Sequence, residues 1–173
     1  MKKEQSTKFL KLCLADSLIK MMETQDYDSI NINAVCEVAG VGRTTYYRYF
    51  DKKSSKENLL VFKIFYEWDI YMEKHKDEVK KDKGAVLLNF IYENKLLFKL
   101  LYDNNLIVAL MRIFEEIDAS DWPTDKESSY LRAFFIYGYF GTIYQWIKYD
   151  FDETPEQVQQ HILETIFRAQ KTS

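Results

Sequence analysis

"AVCEVAGVGRTTYYRYF", residues 34–50, has two short helical patterns on either side of Gly40 and Gly42. Asn31 provides a side-chain acceptor for the start of a helix over residues 32–39. Gly40 can end that helix in the left-handed conformation because it has no Cβ. A second helix is expected directly after Gly42. Two short helices joined by a tight glycine turn form a helix-turn-helix, whose second helix fits the major groove of DNA.

The helix predicted over residues 43–50 has different chemistry on its two faces. Tyr46 and Phe50 are four positions apart and are expected to face the core. The outward positions carry hydroxyl or guanidinium groups and are Arg43, Thr44, Tyr47 and Arg48. Such hydroxyls can donate to phosphate oxygens, and an arginine can make two hydrogen bonds to guanine. The alternative is an aromatic core helix with a stray arginine, which the glycine turn and the flanking helices disfavour.

Helical patterns also flank this stretch. A first helix is expected over residues 6–23, with an apolar face of Leu10, Cys13, Leu14, Leu18 and Met21. The inner face of the helix over residues 32–39 is expected to be Val35, Val38 and Ala39. A further helix starts near Lys56, where Ser54 or Ser55 can cap it. It is expected to end near His75, and its apolar positions are Leu59, Phe62, Tyr66 and Ile70.

The second half of the chain continues the helical pattern. Residues 76–84 are charged and poorly patterned, and we expect a solvated connector there. Residues 85–117 are predicted to be helical with an interruption at 102–105, and residues 118–126 to be a loop. The helix predicted over residues 127–149 is nearly uncharged and therefore requires cover on several sides.

The last helix has a clear start signal. Thr154 is its N-cap, Pro155 its first residue and Gln157 the partner in a capping box. Its buried face is expected to be Val158, Ile162, Ile166 and Ala169. The last two helices have more apolar surface than one small domain covers, so we expect both to pair with their copies in a homodimer. The interface candidates are Tyr130, Phe134, Gly138, Gly141, Tyr149, Val158, Ile162 and Ile166.

The composition argues against several function classes. The chain is 47% hydrophobic with five glycines and two prolines, which is typical of an all-helical globular protein. Cys13 and Cys36 are too few for a disulfide framework or a zinc site and indicate a reducing cytoplasm. His75 and His161 have no suitably spaced partner, so no metal, cofactor or catalytic group is expected. The apolar run at 133–147 is too short to span a bilayer, and no membrane partner is expected.

Net charge is distributed unevenly along the chain. The total is −3, which argues against a nucleic-acid partner. Residues 1–60 nevertheless hold ten Lys/Arg against eight Asp/Glu, or +2, whereas residues 61–173 hold fourteen against nineteen, or −5. This mild asymmetry permits DNA binding by the N-terminal part.

Residues 39–50, "AGVGRTTYYRYF", followed by "SKENLL" at 55–60, resemble the tetracycline-repressor (TetR) family of bacterial transcription regulators. The resemblance implies an all-α fold, with a three-helix helix-turn-helix DNA-binding domain over residues 1–53. A long helix would join it to a helical ligand-binding and dimerisation domain over residues 54–173. The implied function is a ligand-responsive regulator, a repressor, that binds a palindromic operator in double-stranded DNA as a homodimer.

The resemblance also implies roles for individual residues. Arg43, Thr44 and Tyr47 match positions that contact bases or phosphates, and Thr45 matches a phosphate-contact position. Lys56 matches a backbone-contacting lysine, but the preceding segment is longer than usual, so Lys52 or Lys53 can take that role instead. Gly42 stands where serine is common in the family, so a helix cap is missing. The full set of DNA-binding candidates is Asn31, Asn33, Arg43, Thr44, Thr45, Tyr47, Arg48, Lys52, Lys53 and Lys56.

The C-terminal half is rich in aromatic residues that could line a pocket for an apolar or aromatic small-molecule effector. The ligand-binding candidates are Phe62, Tyr66, Phe90, Phe98, Tyr102, Phe134, Tyr137 and Tyr144. For any single one of them, a place in the core or interface is the favoured alternative. At the level of function, the alternative is a helical small-molecule-binding or scaffold protein without DNA binding. An enzyme is disfavoured, since no nucleophile–base pair or metal set can be assembled.

Overall fold

The computed structural model describes residues 2–50, 56–106, 111–112, 114–115 and 125–171, with side chains for residues 5–165 of these ranges. These residues form helices joined by short turns, which confirms the expected all-α fold. The first helices are α1 (Lys2–Met22), α2 (Ile32–Val38) and α3 (Arg43–Tyr49), with a 3-10 helix (Tyr27–Ser29) between α1 and α2. The others are α4 (Glu57–Lys74), α5 (Lys76–Lys81), α6 (Lys83–Glu93), α7 (Lys95–Asp103), α8 (Lys126–Lys148) and α9 (Pro155–Lys171).

Both predicted caps of α2 are confirmed. The Asn31 Oδ1 atom accepts a hydrogen bond from the Ala34 N–H at 3.0 Å. Gly40 has a φ of +64°, and the Val41 N–H beyond it donates to the Cys36 carbonyl at 2.9 Å. This pattern is a Schellman motif, in which an L-residue at the left-handed position would be strained. The motif turns the chain sharply and places α3 directly after α2.

The helix-turn-helix half and the rest of the chain share a core along α1 and α4. Leu14 and Leu18 of α1 and Leu59 of α4 are completely buried. The Lys63 ammonium of α4 also pairs with Asp16 of α1 at 2.9 Å. Burying a leucine contributes about 1.5–3 kcal/mol, whereas a partly exposed ion pair contributes about 0–1 kcal/mol. The apolar contact therefore holds the two helices together, and α4 belongs structurally to both halves.

The helix α8 buries one face and exposes the other. Its inner residues recur at helical spacing and are Ile136, Ile143, Trp146 and Ile147. Asp125 caps its start by accepting from the Ser128 N–H at 3.0 Å. Its end is a second Schellman motif, in which Asp150 has a φ of +55° and the Phe151 N–H donates to the Trp146 carbonyl. The helix predicted over residues 127–149 is thus confirmed within one residue at each end.

The predicted start of α9 is also confirmed. The Thr154 N–H donates to Gln157 Oε1 at 2.8 Å, and the Gln157 N–H donates to Thr154 Oγ1 at 3.4 Å. This reciprocal pair is a capping box, with Pro155 at the first helical position where its missing N–H costs nothing. Val158 is buried, as predicted.

The charged connector predicted at residues 76–84 is wrong, because α5 and the start of α6 occupy it. Acidic residues lie in the first turn of α5 and basic residues in its last turn, which suits the helix dipole. Asp82 then caps α6 by accepting from the Ala85 N–H at 2.9 Å. The helix predicted over residues 85–117 also has an additional break at Asn94, where α6 ends and α7 begins. Its predicted interruption at 102–105 is confirmed, since Asn105 has a φ of +57°.

Two predicted apolar faces are rotated in the structure. Val38 is 55% exposed, and the buried positions of α2 are Val35 and Cys36. Val38 lies three residues after Val35 and therefore falls on the opposite side of it from Cys36. In α4, Ile70 is 48% exposed, and the buried series is Leu59, Leu60, Val61, Ile64 and Trp68. The first helix starts four residues earlier than predicted, because its lysine, glutamate and glutamine residues all favour a helix.

Some sequence predictions lie outside the described residues. These are the Ser54 and Ser55 caps, Lys52 and Lys53, most of the loop at 118–126, and residues 107–110, 113 and 116–117 of the helix predicted over residues 85–117. The same is true of the side chains of Ile166 and Ala169.

Candidate nucleic-acid interface

The inner face of α3 is fixed by two aromatic rings. Tyr46 is 2% exposed and Phe50 is 7% exposed, and their rings stack with centroids 5.3 Å apart. Burial raises the pKa of the Tyr46 hydroxyl, so it stays neutral at physiological pH. The Tyr47 ring meets the Tyr46 ring edge to face at 5.1 Å. The predicted core positions are confirmed, and they hold α3 in one rotational setting.

The outer face of α3 is polar and exposed. Arg43, Thr44, Tyr47 and Arg48 are all exposed, whereas Thr45 is half-buried. The exposed fraction of Tyr47 is 40%, because one edge of its ring rests on Tyr46. The positions predicted to point outward from α3 therefore do so, and they form one surface of hydrogen-bonding groups.

Two contacts between α1 and the end of α3 were not found from the sequence. The Thr7 hydroxyl of α1 donates to the Tyr49 hydroxyl at 3.2 Å. The Lys11 ammonium lies 5.2 Å from the centroid of the Phe50 ring and 5.1 Å from that of Phe62. These contacts join positions about forty residues apart, and no local pattern in the sequence signals them. They fix α3 against α1 as well as against α2.

The two asparagines at the start of α2 are exposed. The Asn31 carbonyl oxygen is used in capping α2, so its amide Nδ2 is the group that could meet a phosphate. Asn33 lies within the first turn of α2, where backbone N–H groups also point outward.

Lys56 is directed into the protein instead of toward the surface of α3. Its ammonium donates to the carbonyls of Tyr27 and Ile30, each at 2.5 Å, and lies 4.2 Å from the centroid of the Tyr27 ring. Burial lowers the pKa of Lys56, with Asp28 and Asp26 acting in the opposite direction. The predicted phosphate contact conflicts with this geometry, because two of the three ammonium donors already bind main-chain oxygens. The segment before Lys56 is longer than usual in the family that the sequence resembles. This difference is the feature of the sequence that indicates another role for Lys56.

The outer face of α8 carries most of the interface candidates. Tyr130 and Phe134 are 67% and 70% exposed, and Tyr149, just beyond the helix, is 60% exposed. A Cβ added at Gly138 or Gly141 would have no atom within 4 Å. Val158 does not belong to this face: it is 2% exposed and packs in the chain's own core.

A shallow groove of about 170 Å³ runs between α8 and α9 beside this face. Phe134, Gly138, His161 and Ile162 line it, together with neighbouring residues of both helices. Phe134, Gly138 and Ile162 were predicted as interface residues, whereas His161 is not among the interface candidates. Because the groove opens onto the exposed face of α8, it is part of the same surface.

The ligand-binding candidates do not come together in one place. Phe62 and Tyr66 stack on each other against α1, where Lys8 lies 4.3 Å from the Tyr66 ring. Phe90 and Phe98 are each 1% exposed and meet edge to face at 6.1 Å in the core. The other four are on α7 and α8: Tyr102 contacts Tyr144, and Phe134 and Tyr137 are exposed.

The described residues meet neither the requirements of a metal site nor those of a membrane-spanning helix. Among the described residues, no group of histidine, cysteine, aspartate or glutamate side chains is arranged to hold a metal ion. Within the same residues, none of the helices has both the length and the apolar character needed to cross a membrane. Cys13 is half-buried and Cys36 is buried, and both are free thiols.

Residues 84–168 match the TetR_C_8 family model, which is described as the C-terminal region of transcriptional regulators. The match extends from α6 into α9, so it begins after α5 and includes α7 and α8. No curated protein matches the chain.

Proposed function

We propose that this chain, which belongs to the TetR family of transcriptional regulators, binds a palindromic operator in double-stranded DNA as a homodimer and represses transcription. A small molecule bound by the C-terminal half would change its affinity for DNA. The protein acts in the bacterial cytoplasm, an assignment that its two free thiols support.

The observation that carries the proposal is the exposed polar face of α3. A recognition helix needs donors on its outer surface and a rigid inner surface, because base contacts depend on accurate placement. The packed rings of Tyr46 and Phe50 supply the rigidity, and Arg43, Thr44 and Tyr47 supply the donors. The matched C-terminal region independently assigns the chain to transcription regulators.

We assign different roles to the exposed side chains. Arg43 and Thr44 contact base edges, while Thr45 and Tyr47 contact the DNA backbone. Arg48, Asn31 and Asn33 add backbone contacts at the edges of the surface. Lys52 and Lys53 replace Lys56 as the phosphate contacts after α3, since the Lys56 ammonium is bound within the protein.

Dimerisation occurs through the outer face of α8 and the adjoining face of α9. Exposed phenyl and phenol rings on one stripe of a helix favour a partner that removes them from water. The open space at Gly138 and Gly141 allows a second helix to approach closely. Two copies related by a two-fold axis would form a four-helix interface that includes Ile162 and Ile166.

Regulation requires a ligand that binds one dimer conformation better than another. The helix α4 packs on α1 and also extends toward the matched region, so its tilt would change the spacing between the two α3 helices. Tyr102 and Tyr144 are the candidates for a ligand contact that lie between two helices of that region. An apolar or aromatic ligand suits their rings.

Selection of duplexes from a random library by the full chain tests this proposal. We expect an enriched palindrome whose half-site centres are about 34–36 Å apart. A variant with alanine at Arg43 and Thr44 and phenylalanine at Tyr47 serves as control, because Arg43 and Thr44 are exposed and a phenylalanine keeps the ring that packs on Tyr46. The control should fold normally and enrich no sequence. Equal enrichment by both proteins would contradict the role of α3, and no enrichment by the wild type would favour the scaffold alternative.

A further inference from the structure

The main chain of Tyr27 is held from both sides by parts of the protein that are distant in sequence. The Asn104 Oδ1 atom accepts from the Tyr27 N–H at 3.3 Å, and the Lys56 ammonium donates to the Tyr27 carbonyl at 2.5 Å. We call these three residues the Tyr27 junction. It joins the 3-10 helix before α2, the start of α4 and the end of α7.

The Tyr27 N–H needs a partner from outside its own helix. It lies at the first position of the 3-10 helix, where the N–H groups have no intrahelical acceptor. The Tyr27 side chain is buried, and an unpaired polar group in such a place is costly. Asn104 supplies the acceptor from 77 residues away in the sequence.

The Asn104 side chain is held rigidly where it meets Tyr27. Its Nδ2 donates to the Leu100 carbonyl at 2.9 Å, one turn back in α7. The next residue, Asn105, has a φ of +57°, and the Leu106 N–H donates to the Leu101 carbonyl at 2.9 Å. This Schellman motif fixes the end of α7, so a movement of α7 carries Asn104 with it.

The junction continues directly into the helix-turn-helix. The Lys56 ammonium also donates to the Ile30 carbonyl, and Ile30 is only 2% exposed. The following residue is Asn31, the N-cap of α2. A displacement of the Tyr27 peptide is therefore passed to α2 and, through the glycine turn, to α3.

We propose that Asn104 is a positioning residue for DNA recognition, which links the end of α7 to the helix-turn-helix by a route that does not pass along α4. This inference rests on the proposed DNA-binding function and deepens it, because Asn104 lies in the region that matches the regulator family. A ligand that shifts α7 would lengthen or shorten the hydrogen bond between Asn104 and the Tyr27 N–H. The Tyr27 peptide would then move, and α3 would change its position on the operator.

The structure offers a matched control for Asn104. Asn94 ends α6 as Asn104 ends α7, and its Nδ2 donates to the Phe90 carbonyl at 2.9 Å. Asn94→Ala and Asn104→Ala each remove the same local bond at a helix end, but only Asn104→Ala removes the bond to Tyr27. A third variant, Asn104→Asp, keeps an oxygen for the Tyr27 N–H and loses the donor to Leu100.

Two measurements on the full-length chain test the role of Asn104. One is amide hydrogen exchange in residues 24–31, and the other is affinity for the duplex that the wild type selects. For Asn104→Ala we expect about fivefold faster exchange in residues 24–31 and about fivefold weaker operator binding, the effect of one net hydrogen bond. Asn94→Ala should stay within about twofold of the wild type, since the bond to Tyr27 is intact. Asn104→Asp should lose less than Asn104→Ala, because it keeps an acceptor for the Tyr27 N–H although its carboxylate faces the Leu100 carbonyl.

The inference is overturned if Asn104→Ala has the same amide exchange and operator affinity as Asn94→Ala. It is also overturned if Asn104→Asp loses as much operator affinity as Asn104→Ala. Failure of the DNA-binding proposal gives a different result. In that case the wild type selects no duplex, while the exchange of residues 24–31 still shows whether Asn104 holds Tyr27.

Discussion

Gly40 and Gly42 lie two residues apart in the turn before α3, but only Gly40 has a backbone conformation that requires glycine. Gly40 has a φ of +64°, where an alanine costs about 1–2 kcal/mol. Gly42 has a φ of −62°, and a Cβ added there would lie 3.9 Å from Thr45 Oγ1, so an alanine fits. Its gain of about 0.4–1 kcal/mol through the unfolded chain is offset because alanine is a poorer N-cap than glycine. Urea unfolding should therefore show a clear loss of stability for Gly40→Ala and little change for Gly42→Ala. Equal changes would show that the turn has another conformation.

Arg43 and Tyr47 should differ in what their loss does to DNA binding. Removing a bidentate base contact at Arg43 should cost roughly 1–3 kcal/mol on the operator and little on a scrambled duplex. Tyr47→Phe should weaken both duplexes about equally, because phosphate contacts carry no sequence information. A salt-titrated binding assay measures both ratios. If Arg43→Ala keeps the full operator-to-scrambled ratio, Arg43 does not contact bases.

At the scale of helices, α8 is the element whose exposed face most needs a partner. Phe134 is 70% exposed on the proposed interface, and Leu96, which is 83% exposed on α7, is not part of that interface. Full burial of a phenylalanine contributes about 1.5–3 kcal/mol, and a dimer has two copies. Phe134→Asp should therefore raise the dimer dissociation constant at least about tenfold, while Leu96→Asp should not. Sedimentation at micromolar concentration measures this, and a wild-type monomer would contradict the proposed interface.

The elements that the sequence predicts well are those with local signals at both ends. Asn31 and Gly40 mark the two ends of α2, and Thr154 and Gln157 mark the start of α9. Each of these caps is a contact between residues close in sequence, so the sequence alone signals it. The connector predicted at residues 76–84 was wrong because charged residues also form short helices when their signs suit the dipole. The partner of Lys56 could not be predicted, since the Tyr27 and Ile30 carbonyls reach it only after the chain has folded.

At the scale of the whole molecule, two half-buried tyrosines, Tyr71 and Tyr139, have hydroxyl groups whose pKa lies above the ordinary value. Burial, with Asp82 nearby, raises the pKa of Tyr139 from its ordinary value of about 10 to about 12. Burial and a hydrogen bond to Glu93 raise the pKa of Tyr71 to about 12. The native state therefore favours the neutral phenol. The contribution of these tyrosines to the free energy of unfolding should be fully present below pH 10 and should be lost as the pH rises from 10 to 12. Tyr139→Phe should make this fall shallower, whereas Tyr149→Phe, at a largely exposed position, should not. Denaturant titrations from pH 8 to about 12 measure the slope.

The predicted DNA-binding surface and the predicted ligand pocket differ in how far the sequence could define them. Arg43, Thr44 and Tyr47 share one face of a seven-residue helix, so helical periodicity alone places them together. Phe62, Phe90 and Tyr137 are on different helices, and their distances depend on how α4, α6 and α8 pack. The structure places these three apart, so aromatic content was a poor guide to a pocket.

The central claim is that two copies of α3 contact two half-sites of one DNA duplex. Hydroxyl-radical footprinting of the selected duplex tests this most directly, because it locates protein contact on each strand. We expect two protected patches related by a dyad, with centres about 10–10.5 base pairs apart on one side of the helix. At the concentration that half-saturates the wild type, Arg43→Ala should give much weaker protection. A single patch without two-fold symmetry, or the same footprint from Arg43→Ala, would contradict the account.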